Sequence, residues 1–417
     1  MMNNCYRRLI AVLTALVLAG CATSINPAVT VGPAVAAHAA QPSKEIVMAT
    51  FTAPNYGNSL PSPLTPDGAG NYYGTSSVGG EGYGTLYELS PSANGGWSQT
   101  VLHTFEDYLD GGYPELTPLI FDKHGDLYGT AHNGGTNELG VAFRFHRTAR
   151  GWVESVLHNF GNGDAYPFSS LIMDRRGKLY GTDNIYHYGG GITEGVYAIS
   201  PSNGGWLYKI IYDLGMAAAN GAGGGLVLDS KGNIFGVSNE IIAPEIVFEL
   251  KPAGSGWSPS ILFKFKTRAG SPTGAPVLDK AGNIYDTTNG GGPGGNGTVF
   301  RLSPSKTGSW KLHTLYAFKG GADGTLPYAG ITFDASGNIY GTTQAGGTSN
   351  DGTVFELAGG SHRERVVWAF DGKDGSTPLT PVVPDSTGHV FGTTSTGGGD
   401  VHCVAAAGCG NAFEVTH

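Results

Sequence analysis

Most of the chain consists of short runs in which apolar and small polar residues alternate, separated by clusters of glycine. The runs Gly337-Asn-Ile-Tyr-Gly-Thr-Thr343 and Gly352-Thr-Val-Phe-Glu-Leu357 are clear cases. Such alternation, bounded by turn-forming residues, is typical of half-buried β-strands. Glycine and proline together make about 22% of the 417 residues, against about 12% in average proteins, and this leaves little room for helices. The pattern predicts an all-β protein.

One strand phrase recurs seven times at a nearly constant spacing. Its fifth residue falls at positions 74, 129, 181, 236, 286, 341 and 392, and it is glycine in every copy except at 286. Three further signatures keep the same spacing: a Gly-Thr-Val-Phe-type strand, a strand that opens with Trp and closes with Phe or Leu, and a short apolar strand that ends in Asp. The last leads into the phrase through an Asp-x-x-Gly turn, a common hairpin connection. Four strands in about 53 residues is the size of a kelch-like propeller blade.

The two ends of the repeat region complement each other. The region begins with a Trp-type strand without partners, Ile46 to Phe51, and ends with three strands that lack their Trp-type strand. If the Asp-ending strand is innermost and the Trp-type strand outermost, the N-terminal strand completes the last blade. A closed ring has no open edges, whereas a solenoid has two. The sequence therefore predicts, for residues 44–417, a seven-bladed β-propeller with four-stranded blades, closed by an N-terminal strand in the last blade.

The first 43 residues predict export. Residues 1–20 carry two arginines and then an apolar run of about eleven residues, which is typical of a signal peptide and too short to span a bilayer. Leu18-Ala-Gly-Cys21 resembles a lipobox, so that Cys21 would receive the lipid and Ala22 would favour sorting to the outer membrane. Residues 21–43 then form a lipidated, disordered tether. The alternative is a conventional cleavage site near Ala37 to Ala40, which would give a secreted protein.

The remaining cysteines agree with export. Of the four cysteines, Cys5 leaves with the signal peptide and Cys21 carries lipid, so that Cys403 and Cys409 are left in one loop. An oxidising compartment favours a disulfide between them. The alternative is half of a metal site with His402, but zinc takes about four ligands and no further pattern of ligands accompanies the pair.

The repeated motif resembles a known family. Leu-Tyr-Gly-Thr-Thr-x-x-Gly-Gly followed by Gly-Thr-Val-Phe-x-Leu is similar to the Gloeobacter/Verrucomicrobium (GloVer) repeat, which occurs in tandem in exported bacterial proteins. The similarity covers nearly all of residues 44–417. Blade four departs from it with Gly236-Val-Ser-Asn-Glu240, and blade five has Asp286 in place of the glycine. The resemblance implies architecture and export, and it brings no catalytic residue with it.

Candidate ligand-binding residues gather on one face of the predicted ring. Loops from second to third strands, and from the fourth strand to the next blade, share that face and vary in length, and function concentrates in loops on rigid scaffolds. The candidates are Asp110, His132, Asp183, Tyr186, His187, Tyr188, Asp323 and Asp374. Tyr186-His187-Tyr188 is the richest cluster, although its rings could instead fold over the propeller mouth.

Cofactors receive little support from the sequence. Asp110, Asp323 and Asp374 each precede a glycine and could supply oxygens to calcium, although Asp-Gly pairs form turns without any metal. No other cofactor is expected.

Charge and motifs narrow the function. The net charge of −9 disfavours nucleic acid as a partner. The sequence contains no HExxH, GxSxG or CxxCH motif. It favours a monomeric, lipid-anchored outer-membrane propeller, facing either the periplasm or the outside, that binds a glycan or protein without catalysis. Its contact with the membrane would be through the lipid alone. The alternative is a propeller enzyme acting on polysaccharide, either a lyase or a glycoside hydrolase.

Overall fold

The structure is a computed structural model, and it describes residues 43–51, 60–77, 79, 82–114, 117–161, 163–188, 191–217, 223–238, 245–266, 270–398 and 408–417. All of these residues lie in one of the two units into which the chain divides, Ala40–His417. The predicted signal peptide, Cys21, most of the tether and Cys403 lie outside the described residues. Across the described ranges, no helix is both long enough and apolar enough to cross a membrane.

The strands form seven antiparallel sheets, and the prediction of a seven-bladed β-propeller is confirmed. Blade 1 contains β2 (Thr65–Pro66), β3 (Tyr72–Ser76), β4 (Thr85–Pro91) and β5 (Trp97–Thr104). Blade 2 contains β6 (Ile120–Phe121), β7 (Leu127–Ala131), β8 (Val141–Thr148) and β9 (Gly151–Asn159). Blade 3 contains β10 (Asp164–Ala165), β11 (Ile172–Met173), β12 (Leu179–Tyr186), β13 (Ile192–Ser202) and β14 (Gly205–Ala217).

The remaining four blades follow the same order along the chain. Blade 4 contains β15 (Gly223–Leu228), β16 (Ile234–Ser238), β17 (Ile246–Ala253) and β18 (Gly256–Lys264). Blade 5 contains β19 (Val277–Leu278), β20 (Ile284–Thr288), β21 (Thr298–Pro304) and β22 (Trp310–Ala317). Blade 6 contains β23 (Thr332–Phe333), β24 (Ile339–Thr343), β25 (Thr353–Leu357) and β26 (Glu364–Ala369), and blade 7 contains β27 (Val383–Pro384), β28 (His389–Thr393), β29 (Asn411–Thr416) and β1 (Lys44–Thr50).

Two features of the strands depart from the regular pattern. Blade 3 has five strands rather than the predicted four, because β10 pairs with the far end of the long strand β12. Many innermost strands have only two residues, and the one helix in the described part of the chain is the single 3-10 turn Gly321–Asp323. Most of the strand pairing in each blade is therefore made by its second to fourth strands.

The ring closes between its first and last blades, as the sequence predicts. Strand β1 pairs antiparallel with β29, from Lys44 opposite Thr416 to Thr50 opposite Asn411. Blade 1 then packs on blade 7: the Tyr72 and Phe391 rings stack with centroids 4.3 Å apart, and other aromatic and aliphatic side chains join them. The N-terminal strand thus completes the blade that closes the ring.

An aspartate shapes the hairpin between the first and second strands of every blade. In blade 6, Asp334 Oδ1 accepts the backbone N–H groups of Ser336 and Asn338, both at 2.8 Å, and Gly337 has a φ of 83°. Six other aspartates form the same contacts: Asp67, Asp122, Asp174, Asp229, Asp279 and Asp385. This Asx turn explains why Asp-x-x-Gly recurs.

The glycine of the second strand makes room for an aromatic ring of the third. A Cβ atom on Gly341 would lie 2.6 Å from Phe355 Cζ, and one on Gly74 would lie 2.5 Å from the Tyr87 hydroxyl. These rings are fully buried. The apolar clusters bridge neighbouring blades, so each blade is stabilised chiefly by the blades beside it.

Candidate binding face

The topology gathers the candidate residues on one face of the ring, which we call the loop face: the loops from second to third strands and from each fourth strand to the next blade. Successive connections in an antiparallel sheet lie at opposite ends, so both loop sets share one face. Asp110, Asp323 and Asp374 follow the fourth strands β5, β22 and β26, and His132 follows β7. Asp183 lies on β12, and Tyr186 ends that strand.

The three aspartates direct their oxygens into their own loops. Asp374 accepts the indole N–H of Trp368 and the backbone N–H of Asp371, both at 2.8 Å. Asp323 accepts the Tyr316 hydroxyl and the Lys319 backbone N–H, both at 2.6 Å. Each carboxylate ties its loop to an aromatic side chain of the preceding outer strand.

Two histidines replace the aromatic residue in blades 1 and 2. Asp110 accepts the Glu106 backbone N–H and lies 2.7 Å from His103 Nε2. Asp164 makes the matching contact with His158 Nε2, at 2.6 Å. Asp164 is not among the candidate residues, although it stands six residues after His158 as Asp374 stands six residues after Trp368. That spacing is the signal that could have identified it.

The loops that carry these aspartates have a fixed backbone. Four residues on them lie in the left-handed region with φ between 53° and 57°, and a proline follows each: Tyr113, Tyr166, Leu326 and Thr377. Such a conformation costs a bulky residue on the order of 1 kcal/mol and persists only where neighbouring contacts impose it. Its repetition in four blades indicates a structural rather than a ligand-specific role.

His132 is half-buried and packs against neighbouring aromatic rings. Its ring stacks on Tyr166 with centroids 5.0 Å apart and a 21° angle, and its Nδ1 lies 2.6 Å from Asn133 Oδ1. Burial lowers the pKa of His132 to about 4. The imidazole is therefore neutral near pH 7.

Asp183 is the buried member of a polar network between blades 2 and 3, in which Tyr208 and His158 are half-buried. The Tyr208 hydroxyl donates to Asp183 Oδ2 at 2.5 Å, and the Tyr208 ring stacks on His158 with centroids 4.1 Å apart. Asp183 is 1% exposed, and its Oδ1 has no hydrogen-bond partner among the described residues. Burial, and secondarily the charge of Asp164, raise the pKa of Asp183 well above its usual range. The carboxyl group is thus kept away from solvent, in surroundings that disfavour its charged form.

The Tyr186-His187-Tyr188 cluster is the exposed part of the predicted site. Tyr186 is 41% exposed and Tyr188 is fully exposed. His187 Nε2 lies 2.7 Å from Thr193 Oγ1 and 3.3 Å from Asp213 Oδ2, so its ring is held against its own sheet. The strands of blade 3 are long, with 8, 11 and 13 residues in β12, β13 and β14. The extended β12–β13 hairpin carries the two tyrosines.

Other apolar side chains are also exposed on the loop face. Tyr108 and Leu109 follow β5 and are 61% and 70% exposed, and Tyr328 follows β22 and is 37% exposed. Tyr108 and Leu109 were not candidates, although two large apolar residues between Asp107 and Asp110 are unusual in a polar turn. The loop face thus presents neutral aromatic surface at three blades.

Two further predictions concern metals and cysteines. Within the described ranges, one set of side chains is spaced closely enough to hold a metal ion, namely His103, Asp110 and Glu154.

Cys409 is buried and disulfide-bonded. Its predicted partner, Cys403, lies outside the described residues, so that pairing stays a prediction.

Solved structures share the fold at low sequence identity. A provisionally assigned 6-phosphogluconolactonase from Bacteroides uniformis has a TM-score of 0.50 and 14% identity, covering 80% of this chain and 89% of that one. A second such protein, from Bacteroides fragilis, has a TM-score of 0.48 and 14% identity, covering 80% and 87%. A glucose dehydrogenase has a TM-score of 0.43 and 13% identity, covering 90% and 99%. Likeness at this level concerns the fold alone.

The repeat itself identifies the family. No curated protein sequence matches the chain. A family model described as the Gloeobacter/Verrucomicrobia repeat matches residues 38–245 and 195–406, which together span most of the chain. The chain therefore belongs to the Gloeobacter/Verrucomicrobia repeat family.

Proposed function

We propose that this protein is a non-catalytic binding module of the bacterial cell envelope that recognises a glycan or a protein through its loop face. One contrast carries the proposal. The aromatic side chains of that face, Tyr186 and Tyr188 above all, are exposed. The carboxylates all accept hydrogen bonds from their own blade, and they are buried at Asp110 and Asp183 and half-buried at Asp323 and Asp374. A binding surface needs exposed aromatic side chains, whereas acid–base catalysis needs carboxylates that a substrate can reach.

Tyrosine suits this role physically. Its ring offers a broad apolar face to a sugar ring or an aliphatic side chain, and its hydroxyl can form a hydrogen bond at the edge of the contact. Because Tyr186 ends strand β12, its backbone is already ordered and would lose little conformational entropy on binding. The net charge of −9 favours neutral or cationic ligands over nucleic acid.

The enzyme alternative has one observation in its favour. Asp183, Tyr208 and His158 form a continuous network whose acid has a raised pKa, and such groups are frequent in active sites. Asp183 itself is buried, however, Tyr208 and His158 are half-buried, and the hydrogen bond and ring stacking account for the geometry of the network. We therefore assign it to stability and keep polysaccharide lyase or hydrolase chemistry as the second candidate.

Replacing Tyr186 and Tyr188 together with Ala tests the binding role. If the rings contact the ligand, affinity should fall by on the order of 1 to 3 kcal/mol, or roughly 5- to 150-fold, since each substitution removes an aromatic contact. The melting temperature should change little because Tyr188 is fully exposed and Tyr186 is 41% exposed. A glycan array of the full chain identifies the ligand, and an isotherm and a melting curve on one sample then give both quantities.

Leu207→Ala is the matched control for the tyrosine variant. Leu207 lies in the same blade, on β14, and is 61% exposed, but it is remote along the strand from the hairpin that carries the tyrosines. It should leave affinity unchanged. A tyrosine variant that loses stability and keeps full affinity would instead show that the rings only cover the propeller mouth.

We further propose that the protein reaches the envelope as a lipoprotein anchored through Cys21 and that it acts there as a monomer, with kelch-like blades. The support is the order of charged, apolar and small residues in 1–20 and the lipobox-like Leu18-Ala-Gly-Cys21. A lipid on Cys21 would hold the protein at the outer membrane, facing either the periplasm or the cell surface. The alternative is secretion after a conventional cleavage.

Cys21→Ala should abolish lipid labelling and leave unprocessed precursor in the inner membrane, because the sulfur that accepts the lipid is gone. Metabolic labelling with a fatty acid, together with fractionation of the membranes, measures both effects. Cys5→Ala is the matched control and should leave labelling intact. Normal processing of the Cys21 variant would indicate a conventional signal peptide.

A further inference from the structure

Three junctions between neighbouring blades bring two carboxyl groups together. Glu154, Glu364 and Glu45 occupy equivalent positions on the outer strands β9, β26 and β1, opposite Phe145, Leu357 and Val415 in the register. Each faces the loop aspartate of the preceding blade: Asp110, Asp323 and Asp374, respectively.

These glutamates share a second feature. The Oε1 atom of each is buried and has no hydrogen-bond partner among the described residues. Each junction therefore holds two carboxyl groups, one of which has a buried oxygen atom that a bound cation could pair with.

Besides the glutamate and the aspartate, each junction has a third side chain, which contacts the aspartate. The identity of this side chain distinguishes one junction from the other two. At the junctions of Glu364 and Glu45, the aromatic side chains Tyr316 and Trp368 donate to the aspartate, and neither offers a metal ligand at neutral pH. At the junction of Glu154 that side chain is His103, whose ring nitrogen can ligate a metal.

We propose that His103, Asp110 and Glu154 form a binding site for a divalent transition metal of the zinc class, which links blade 1 to blade 2. Imidazole and carboxylate together suit Zn²⁺, whereas calcium takes oxygen ligands only. The next junction supplies an internal comparison: it repeats the pair as His158 and Asp164, but Tyr208 stands where Glu154 would be.

The distances are close to those of a bound site. His103 Nε2 lies 2.7 Å from Asp110 Oδ2 and 3.9 Å from Glu154 Oε2, and the three ligand atoms all lie within 4.8 Å of one another. Ligand atoms about 2.0–2.1 Å from tetrahedral zinc are about 3.3 Å apart, so shifts of less than about 1.5 Å in any pair complete the site.

The surroundings favour a defined and reachable site. The His103 ring packs against Phe105 and Phe145, with centroids 5.0 and 4.9 Å away, and the Glu106 backbone N–H holds the second oxygen of Asp110. The side chain of His103 is 24% exposed, against 10% for Asp110 and 12% for Glu154. A cation can thus enter from solvent, and the fourth position of a zinc ion remains open to water.

Zinc titration of the full chain in detergent, after removal of metals with a chelator, tests the proposal. We expect the chain to bind Zn²⁺ with a rise in melting temperature, because a metal that joins two blades binds only the folded state. Glu154→Gln should weaken that site at least about tenfold, and Glu364→Gln, the same change at the equivalent position without a histidine, should not.

Three results would overturn the proposal: no stoichiometric zinc binding, equal zinc affinity in the Glu154 and Glu364 variants, or a preference for Ca²⁺ over Zn²⁺ at this site. If Glu154→Gln melts much lower than the parent without metal, Glu154→Asp gives the same comparison. It keeps the charge and withdraws the carboxylate by one methylene group.

Discussion

Removing residues 44–50, the whole of β1, is expected to lower the melting temperature by about 10 °C or more. The deletion exposes the edge of β29 and removes the buried side chain of Met48, and with it the support for Phe51, which packs against Tyr87 with ring centroids 5.3 Å apart. Loss of this apolar contact and of the strand pairing together amounts to about 5 kcal/mol or more. A thermal melt followed by circular dichroism measures the change.

Deletion of seven residues from the predicted tether, 29–35, is the control for this truncation. It shortens the chain equally but removes nothing that pairs with β29, so the melting temperature should not change. An unchanged melt after removal of 44–50 would show that β1 does not hold the ring closed. The truncated protein should also associate through the open edge of β29, which size-exclusion chromatography detects.

Replacing Asp286 with Gly is expected to stabilise the protein by about 2 kcal/mol at pH 8. Asp286 is fully buried, its Oδ2 has no hydrogen-bond partner in the described part of the chain, and burial raises its pKa to about 7. The rise in pKa corresponds to about 4 kcal/mol at pH 8. The flexibility of glycine and the loss of the hydrogen bond that Asp286 Oδ1 accepts from the Thr287 backbone N–H, 2.8 Å long, subtract about 1 kcal/mol each.

The sign of the pH dependence follows from the raised pKa. The folded protein binds this proton more tightly than the unfolded chain does, so the associated stability is complete below pH 4 and is lost as the pH rises to about 7. Asp286→Gly should therefore stabilise the protein at pH 8 and destabilise it by about 1 to 2 kcal/mol at pH 4. Urea denaturation at both pH values measures the change, and a loss of stability at pH 8 would contradict the expectation.

Gly341→Ala in blade 6 is the control for Asp286→Gly, because it adds a side chain at the equivalent position of another blade. The added Cβ would lie 2.6 Å from Phe355 Cζ, so this variant should lose about 1 to 3 kcal/mol at either pH. In blade 5 the equivalent position carries the side chain of Asp286, and Gly274 leaves space for it. A Cβ atom on Gly274 would lie 2.5 Å from Asp286 Oδ1.

The fold could be predicted from the sequence because each strand carries a local signal that repeats. The Asp-x-x-Gly turn, the glycine opposite an aromatic residue and the Trp-type outer strand all depend on contacts within one blade or between neighbours. Even blade 4, which departs from the motif around Gly236, forms the sheet β15–β18. The fifth strand β10 could not be predicted, since it depends on the unusual length of β12.

The candidate site was predictable only in part. Exposed tyrosines at a loop tip, such as Tyr186, follow from position in the repeat. The partners of Asp110 and Asp183 do not, because His103, Glu154 and Tyr208 stand on outer strands, and the packing of one blade on the next brings them close. Residues as far apart as Asp110 and Glu154 meet through that packing rather than through any local pattern.

The measurement that tests the non-catalytic binding role most directly is an assay of the bound glycan for new reducing or unsaturated ends after incubation with the full chain. We expect saturable binding, no release of ends above a no-protein control, and the same affinity in Asp183→Asn as in the parent. Release of ends by the parent that disappears in Asp183→Asn would contradict the account and would assign the buried network between blades 2 and 3 to catalysis.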